Sequence, residues 1–278
     1  MSVELWGRTV DATVDDALPW FPVAMFHRVV DRTPAVNPYN LCIGAGDLER
    51  VLRFIRRDGF EIVSLRAALD AAEQGRDVSR LACLTFDDGY RDFYTHAFPV
   101  LQRLDAPATV FLVSDRLGGT NDWDSATGVL PSAPLLSHEE VLSLAAQGIE
   151  FGCHSATHPH LDAIDDRQLR DETAGAKQTL EALLDREAGL YAYPYTDENA
   201  AVRRAVEEAG FRGAVSGEQP RHTRYLIHRV DFRRLDALSL RFRLHGVRYR
   251  LKRTPGAYAA RNVIRGLISR SRSVEGKT

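Results

Sequence analysis

Short apolar runs alternate with longer amphipathic stretches along most of this chain. Eight runs have the length and composition of buried strands, and helical spacing of apolar residues lies between several of them. A repeated strand-then-helix order predicts a parallel sheet, and seven or eight repeats predict closure into a barrel. We therefore expect an α/β fold, a distorted (β/α)7–8 barrel in a single domain. The predicted strands are Val23–His27, Phe60–Leu65, Leu81–Phe86, Thr109–Val113, Ile149–Cys153, Leu190–Tyr193, Gly213–Ser216 and Leu226–Val230.

Four helices are predicted between these strands, each from apolar residues that recur at helical spacing. The segment from Leu117 to Pro134 is rich in Gly, Asn, Asp, Ser and Pro, which predicts a long loop. The predicted helices are 48–55 with Asp47 as its cap, 138–145 with a Ser137–Glu140 capping box, 169–183 after Asp165, and 201–206 closed by Gly210.

Two adjacent carboxylates follow the strand LACLTF, in the sequence TFDDG. The carboxyl ends of parallel strands form the active face of such sheets, so Asp87 and Asp88 are candidate functional residues. Adjacent carboxylates repel each other, and a bound cation would relieve that repulsion. An Asp-Asp-Gly sequence is also ordinary turn chemistry, so this motif alone leaves both interpretations open.

Two histidines follow the strand Ile149–Cys153 in the sequence HSATH. His154 and His158 can converge on one cation if the chain turns between them, although such a pair also arises by chance on a surface helix. We expect Cys153 to face away from the site as a small core residue. Since both motifs follow strands, they should lie on the same rim.

Two imidazoles, one ligating carboxylate and one spare carboxylate are the groups needed for metal-assisted hydrolysis. The residues alone do not say which aspartate binds the metal and which is the base. A non-haem iron oxygenase uses the same two-histidine, one-carboxylate set and is the alternative enzyme.

A third motif, YAYPYTDEN, ends another short strand. An ordinary strand exit with aromatic packing would explain it. The functional interpretation is that the backbone N–H of Tyr195 points at an oxyanion that develops during the reaction.

Together, TFDDGYRD, HSATHPHL and YAYPYT resemble the motifs of the polysaccharide deacetylase family, the NodB-homology domain of carbohydrate esterase family four. The resemblance extends from about Val23 to Val230 and implies a NodB-like barrel that hydrolyses N-acetyl, less often O-acetyl, groups on glycans. It implies that Asp87 is the base, that Asp88, His154 and His158 bind the metal, and that the amide of Tyr195 faces the oxyanion. The expected cofactor is a divalent metal, zinc first, with cobalt, nickel or iron as alternatives.

The sequence also departs from the family pattern. Ala192 stands where many members carry an arginine that holds the catalytic aspartate, and the variant YAYPY resembles a subgroup that includes poly-N-acetylglucosamine deacetylases. The later Asp-Trp motif is not recognisable, and the Leu-x-His motif that supplies the general acid has only weak counterparts in His228 and His245. These departures motivate a further alternative, a catalytically weakened glycan-binding module of the same fold.

Two more residues are candidates for the site. His27 ends the first predicted strand, which places it on the active rim as a candidate catalytic residue. Trp123, in the loop sequence NDWDS, has the flat apolar face that stacks on a sugar ring, although packing against the body would also explain it. Tyr195 is a candidate for substrate binding as well as catalysis.

Charge is distributed unevenly. Residues 221–278 contain 16 Lys and Arg against 3 Asp and Glu, whereas the chain as a whole has a net charge of −2. We divide the chain into an N-terminal extension (1–20), a deacetylase domain (21–232) and a basic C-terminal extension (233–278).

Within that extension, Tyr258–Arg272 can form a basic amphipathic helix. Such a helix can contact an anionic membrane, although its apolar side chains would equally cover the barrel. We expect a carbohydrate substrate and no nucleic-acid partner. Three scattered cysteines and no recognisable signal sequence predict a cytoplasmic location, with contact at the inner membrane through the basic extension.

Overall fold

A computed structural model describes residues 3–5, 8–10, 17–35, 37–123, 132–219, 221–232 and 237–247 of the chain. They form a curled parallel sheet covered by helices, which confirms the predicted fold class. The strands are β1 (Val3–Leu5), β2 (Arg8–Val10), β3 (Val23–Phe26), β4 (Arg28–Val30), β5 (Cys42–Gly44), β6 (Glu61–Val63), β7 (Leu81–Phe86), β8 (Thr109–Leu112), β9 (Glu150–Cys153), β10 (Leu190–Ala192), β11 (Gly213–Val215) and β12 (Val230–Asp231). The α-helices are α1 (Ala45–Arg57), α2 (Leu65–Glu73), α3 (Phe98–Arg103), α4 (His138–Ala146), α5 (Asp166–Arg170), α6 (Ala176–Leu184), α7 (Ala200–Glu208) and α8 (Ala237–Leu244).

The main sheet has eight strands in the order β11-β10-β9-β8-β7-β3-β12, with β6 paired to β7, and every pair is parallel. Its two edges meet at residues 226–231. There Ile227 forms a parallel bridge with Val215 of β11, and Val230 pairs with Ala24 of β3. The strand predicted over Leu226–Val230 is wrong, because only Val230–Asp231 forms a strand. The segment pairs with β11 at one end and with β3 at the other, so it forms no continuous ladder with either.

Alternating side chains separate the core into two clusters, one on each face of the sheet. In β7, Leu84 packs in the outer cluster beneath the surrounding helices, whereas Cys83 packs in the inner cluster on the concave face. Cys153 lies in the outer cluster, as expected, and all three cysteines are free thiols. The buried strands are therefore apolar on both faces, as parallel strands covered on both sides require.

Helix α2 lies against the concave face of the sheet. Its Leu65 and Leu69 belong to the inner cluster, together with Phe111 of β8 and Ala192 of β10. The predicted strand Phe60–Leu65 is therefore too long. It ends at Val63, because the hydroxyl of Ser64 accepts a hydrogen bond from the N–H of Ala67 and starts the helix.

The other helices follow the predicted positions with one error at a cap. The Ser137–Glu140 capping box is confirmed. Asp47 is not a cap, because α1 already begins at Ala45, and the Asp47 carboxylate instead accepts a hydrogen bond from Thr33 at 3.0 Å. The long helix predicted after Asp165 is continuous, but a π-helical turn over Asp171–Gly175 separates α5 from α6.

Core packing continues beyond the predicted domain boundary at residue 232. Leu240 and Leu244 of α8 belong to the outer cluster, and the indole N–H of Trp20 donates to the carbonyl of Leu244 at 3.2 Å. Both flanking regions thus contact the body of the fold. The predicted basic helix Tyr258–Arg272 lies outside the described residues, as do residues 124–131 of the predicted loop. In the described part of the chain, no helix combines the length and apolar character needed to cross a membrane.

We predict that Gly152→Ala destabilises the fold by about 1–3 kcal/mol, the usual cost of overpacking a filled core. A Cβ atom at position 152 would lie 2.6 Å from the ring of Phe111 and 2.9 Å from the carbonyl of Leu190. Gly46→Ala in α1 is the control, because no atom lies within 4 Å of the added Cβ. Urea unfolding of both variants is the measurement, and equal stabilities would contradict the close packing described here.

Candidate active site and metal centre

The predicted site residues meet at the carboxyl ends of β3, β7 and β9. Asp87 and Asp88 follow β7, and His154 follows β9. Asp88 has a φ of 71°, so the chain turns sharply between the two carboxylates and directs them to different neighbours. Asp87, Asp88, His154 and His158 are all buried, and the structure brings Asp88, His154 and His158 together on this rim beside Asp87.

Asp88, His154 and His158 form a group that could hold a metal ion, with ligand atoms all within 4.8 Å of one another. The Nε2 atoms of both histidines lie 3.3 Å from Oδ1 of Asp88. Burial alone would raise the pKa of Asp88, but the two neighbouring imidazoles outweigh it and hold this pKa well below its ordinary value. The carboxylate is therefore ionised and available as a ligand at neutral pH.

Backbone contacts fix the orientation of the first histidine. Nδ1 of His154 lies 2.8 Å from the carbonyl of Ala192, which can only accept a hydrogen bond. Nδ1 therefore carries a proton, and Nε2, which lies 3.3 Å from Oδ1 of Asp88, is the nitrogen that a metal would bind. A metal-ligating histidine is commonly oriented in this way by a second partner.

Aromatic rings surround the second histidine. The ring of His158 stacks on Trp123 with centroids 4.7 Å apart, and Tyr195 meets its edge at 4.6 Å. Tyr195 also stacks on His160 at 4.1 Å, and Nδ1 of His160 lies 2.5 Å from Asp197. Trp123 and Tyr195, the two predicted substrate-binding residues, thus form the wall of the site beside a metal-ligand candidate.

The backbone of Tyr195 is left-handed, with φ 53° and ψ 8°, inside the short Pro194–Thr196 turn. Its side chain is 39% exposed. The expected role of its amide at an oxyanion stays a prediction.

Asp87 forms a buried, two-point ion pair with Arg229, a residue that the sequence analysis missed. The two guanidinium nitrogens lie 2.6 Å and 2.7 Å from the two carboxylate oxygens. A third nitrogen, Nε, donates to the carbonyl of Ser216 at 2.9 Å. Burial would raise the pKa of Asp87, but Arg229, His154 and His27 outweigh it and keep this pKa below its ordinary value.

Arg229 makes the contact with Asp87 that the chain was expected to lack, because Ala192 replaces the arginine of the third motif. The guanidinium comes from the segment that closes the barrel, 37 residues further along the chain than Ala192. One signal for it existed: Arg229 lies in an apolar run, and a charged residue in a buried strand requires a partner.

His27 is on the rim, as predicted. Its Nε2 lies 3.7 Å from Oδ2 of Asp87, and its side chain is 21% exposed. Burial lowers the pKa of His27 despite the nearby Asp87 and Asp88. His27 therefore lies beside Asp87, the candidate catalytic base. It does not belong to the group formed by Asp88, His154 and His158.

The two weaker histidine candidates do not lie at the site. The ring of His228 contacts the backbone of Gln219 and packs against Trp20, because His228 alternates with Arg229 and faces the opposite side. His245 pairs with Asp58 at 2.8 Å, at the end of α1. Neither can serve as the general acid of this site.

A cavity of about 270 Å³ lies at the other end of the sheet, between α2 and the starts of β9 and β10. Glu150 lines it, and burial raises the pKa of this carboxyl, which accepts a hydrogen bond from Thr109. None of the site residues lines this cavity, so it is separate from the chemistry described above.

Comparisons with known proteins show which family this chain resembles. The family model described as polysaccharide deacetylase matches residues 74–214, just over half of the chain. A Bacillus subtilis (strain 168) protein, YxkH, whose name assigns it to the polysaccharide deacetylases, is 23% identical over 229 residues that cover 78% of this chain and 75% of that protein.

A second relative is more similar over a shorter stretch. The poly-beta-1,6-N-acetyl-D-glucosamine N-deacetylase of Escherichia coli (strain K12) is 33% identical over 95 residues, covering 32% of this chain and 14% of that protein. Among solved structures, the Streptococcus pyogenes deacetylase PplD in complex with acetate has a TM-score of 0.69 at 19% identity and covers 82% of this chain and 99% of that one. At this identity the structural likeness establishes the fold.

We predict that Arg229→Met lowers the free energy of unfolding by about 3–5 kcal/mol, because it leaves the buried carboxylate of Asp87 without a counter-charge. The double variant Arg229→Met/Asp87→Asn should recover part of that loss, since the uncompensated charge is gone. Urea unfolding of the two variants measures this difference. Arg91→Met is the control, because the Arg91 side chain is 54% exposed and its pair with Glu140 should contribute at most ~1 kcal/mol. Wild-type stability of Arg229→Met would show that the pair is not coupled as described.

Proposed function

The chain belongs to the polysaccharide deacetylase family, a family of hydrolases, and we propose that it removes the acetyl group from an N-acetylated amino sugar within a glycan or glycoconjugate, with a divalent metal at Asp88, His154 and His158. The observation that carries this proposal is the juxtaposition on one rim of a three-ligand group and a separate, Arg-held carboxylate, Asp87. The similarity to poly-beta-1,6-N-acetyl-D-glucosamine deacetylases supports N-acetylglucosamine as the sugar.

The three side chains fit a small divalent cation. Tetrahedral zinc with bonds of about 2.0–2.2 Å holds its ligand atoms roughly 3.3–3.5 Å apart. The observed separations between Asp88 Oδ1 and the two Nε2 atoms are 3.3 Å. Oδ1 of Asp88 is buried and has no hydrogen-bond partner among the described residues, although both nitrogens are near. Two imidazoles and a carboxylate suit zinc, with cobalt, nickel or iron as alternatives.

When bound, the metal would polarise the acetyl carbonyl and acidify a water molecule. Asp87 would take the proton from that water. Arg229 holds both carboxylate oxygens, which fixes the orientation of the base and keeps it ionised. A base in this position typically accelerates such a step by ~10²–10⁴-fold.

The remaining rim residues complete the proposed reaction. His27 is neutral because burial lowers its pKa, and from its place beside Asp87 it would relay the proton that Asp87 takes from water to the leaving nitrogen, which needs one to depart as an amine. The amide of Tyr195 would donate to the oxyanion, and Trp123 would provide an apolar surface for a sugar ring. The products are acetate and a free amino sugar.

This site favours hydrolysis over the two alternative functions. An iron oxygenase has no use for a second, Arg-bound carboxylate beside its ligand set. A non-catalytic glycan-binding module was suggested by the missing motif arginine, yet Arg229 makes the expected contact with Asp87. Sugar binding alone does not require a base held beside a metal-ligand group.

We predict that Asp87→Asn lowers the rate of acetate release from N-acetylglucosamine oligomers by ~10²–10⁴-fold while metal binding persists, because only the base is lost. Asp88→Asn should instead weaken metal binding and abolish activity together, because a ligand is lost. Acetate is measured by a coupled assay and bound metal by mass spectrometry of the purified protein.

Asp115→Asn is the matched control for both variants, since Asp115 is an exposed carboxylate at the end of β8. Loss of metal from Asp87→Asn but not from Asp88→Asn would reverse the assigned roles. Absence of acetate release from any N-acetylated sugar by the metal-loaded wild type would overturn the proposed function.

We further propose that the protein acts in the cytoplasm at the surface of an anionic membrane. Leu238 and Phe242 lie one turn apart on α8 and are 62% and 46% exposed, while Leu240 and Leu244 face the core. From residue 237 to the end the chain contains eleven Lys and Arg and a single acidic residue, Glu275. An exposed apolar pair next to dense positive charge is complementary to anionic lipid.

Co-sedimentation with anionic phosphatidylglycerol vesicles tests this location. We predict that the full-length protein binds at low salt and is released at high salt, because each surface cation contributes roughly 1 kcal/mol. Truncation after Thr254 removes five of the eleven Lys and Arg but keeps Leu238 and Phe242, so it should weaken binding and leave activity on a soluble substrate intact. Neutral vesicles are the control, and failure of the full-length protein to bind anionic vesicles at low salt would rule the membrane proposal out.

A further inference from the structure

The loop that carries the two histidine ligands is held by a buried carboxylate outside the site. Glu172 is 8% exposed and lies in the π-helical turn between α5 and α6. One of its oxygens accepts hydrogen bonds from the backbone N–H groups of Ala156 and Thr157 at 2.8 Å and 2.9 Å. Its other oxygen accepts the hydroxyl of Thr157 at 2.5 Å.

These contacts fall between the two metal-ligand candidates. Ala156 and Thr157 are two of the three residues between His154 and His158 in the sequence. His154 is fixed separately, by the hydrogen bond of its N–H to Leu112 at 2.7 Å and by its ring contact with Ala192. Glu172 therefore restrains the part of the loop that decides where His158 lies relative to His154.

The loop needs such a restraint because its backbone is not in a preferred conformation. Ser155 and His158 both have a φ of 67°, in the left-handed region that residues with a Cβ seldom adopt. The hydroxyl of Ser155 accepts the N–H of His158 at 3.0 Å, which closes the loop on itself. Without an acceptor, the N–H groups of Ala156 and Thr157 would favour a rearranged loop that reaches other partners.

The π-helical turn explains how Glu172 reaches the loop. A π turn inserts one extra residue into a helix, which displaces the side chains around it. Its position is fixed by the hydroxyl of Tyr191, which donates to the backbone carbonyl of Glu172 at 3.3 Å. Tyr191 belongs to β10, the strand whose Ala192 also orients His154, so one strand supports both histidines.

We propose that Glu172 is a positioning residue that sets the separation of His154 and His158 and thereby the affinity of the site for its divalent metal. This inference rests on the metal-dependent function proposed above. Glu172 does not belong to the Asp88 group, so its effect passes through the loop backbone. Outer contacts of this kind typically change metal affinity or activity by about 10–100-fold.

The test is zinc affinity, measured by competition with a chromophoric chelator on the folded apo-protein. Glu172→Ala should weaken zinc binding by about 10–100-fold. Glu172→Gln should stay near the wild type, because its amide oxygen still accepts both backbone N–H groups and its amide nitrogen can donate to Thr157. Glu172→Asp keeps the charge but is one methylene too short, so it should behave like Glu172→Ala.

Glu181→Ala is the matched control. Glu181 lies on α6, in the same helical run, and also accepts a backbone N–H, that of Ala188 at 3.1 Å. It should lower thermal stability without changing zinc affinity. Activity of Glu172→Ala should recover at excess metal, because bound metal pulls the two histidines into place.

The outcomes are distinguishable. Wild-type zinc affinity in Glu172→Ala, with only a lower melting temperature, would reduce Glu172 to a structural role and overturn the inference while the proposed function stands. If Glu172→Ala does not fold, the Gln and Asp variants decide, and equal affinities for both would overturn it. Failure of the wild-type protein to bind any divalent metal would overturn the proposed function and this inference with it.

Discussion

The buried ion pair between Asp87 and Arg229 is the contact on which the rest of the site depends. Two charges are removed from water, a cost that only close geometry and further hydrogen bonds can offset. Arg229 meets these conditions with two contacts to the carboxylate and one to the carbonyl of Ser216. Since Arg229 lies in the segment that bridges β11 and β3, the same pair ties barrel closure to the orientation of Asp87. Correct folding of residues 226–231 is therefore a condition for the observed orientation of Asp87.

Much of this arrangement could be predicted because it is encoded locally. Asp87, Asp88 and His154 each follow a short apolar run, and parallel strands bring their carboxyl ends to one rim. His27 could be placed on the rim by the same argument. The four-residue spacing of the histidines then indicated that His158 returns to the same point, which the left-handed turns at Ser155 and His158 make possible.

What could not be predicted depends on contacts distant in sequence. Arg229 and Asp87 are 142 residues apart, and no local pattern says which of two neighbouring residues, His228 or Arg229, faces the interior. The strand predicted over Leu226–Val230 was wrong because its pairing is divided between two edges, and His228, the weak counterpart of the Leu-x-His motif, faces away from the site. The start of α1 was misplaced for a similar reason, since the Asp47 side chain is used by Thr33 rather than by its own helix.

Two π-helical turns support opposite sides of the site in the same way. Asp92, directly before the turn Phe93–Ala97, accepts the N–H of Val29 at 3.1 Å and the Nε of Arg28 at 2.8 Å, next to His27. Glu172 holds the loop of His154 and His158 from the other turn. In both places a carboxylate in or next to a π turn accepts backbone N–H groups beside a candidate site histidine, and π turns occur frequently near functional sites.

The position of α2 limits the directions from which a polysaccharide could reach the rim that carries the site. Leu65, Ala68 and Leu69 fill the concave side of the sheet beneath the site, so the barrel is a closed-bottomed cup rather than a tunnel. For the function proposed here, glycan, water and acetate all enter and leave across the same rim. A glycan chain would therefore lie over the cup and be released sideways, without threading.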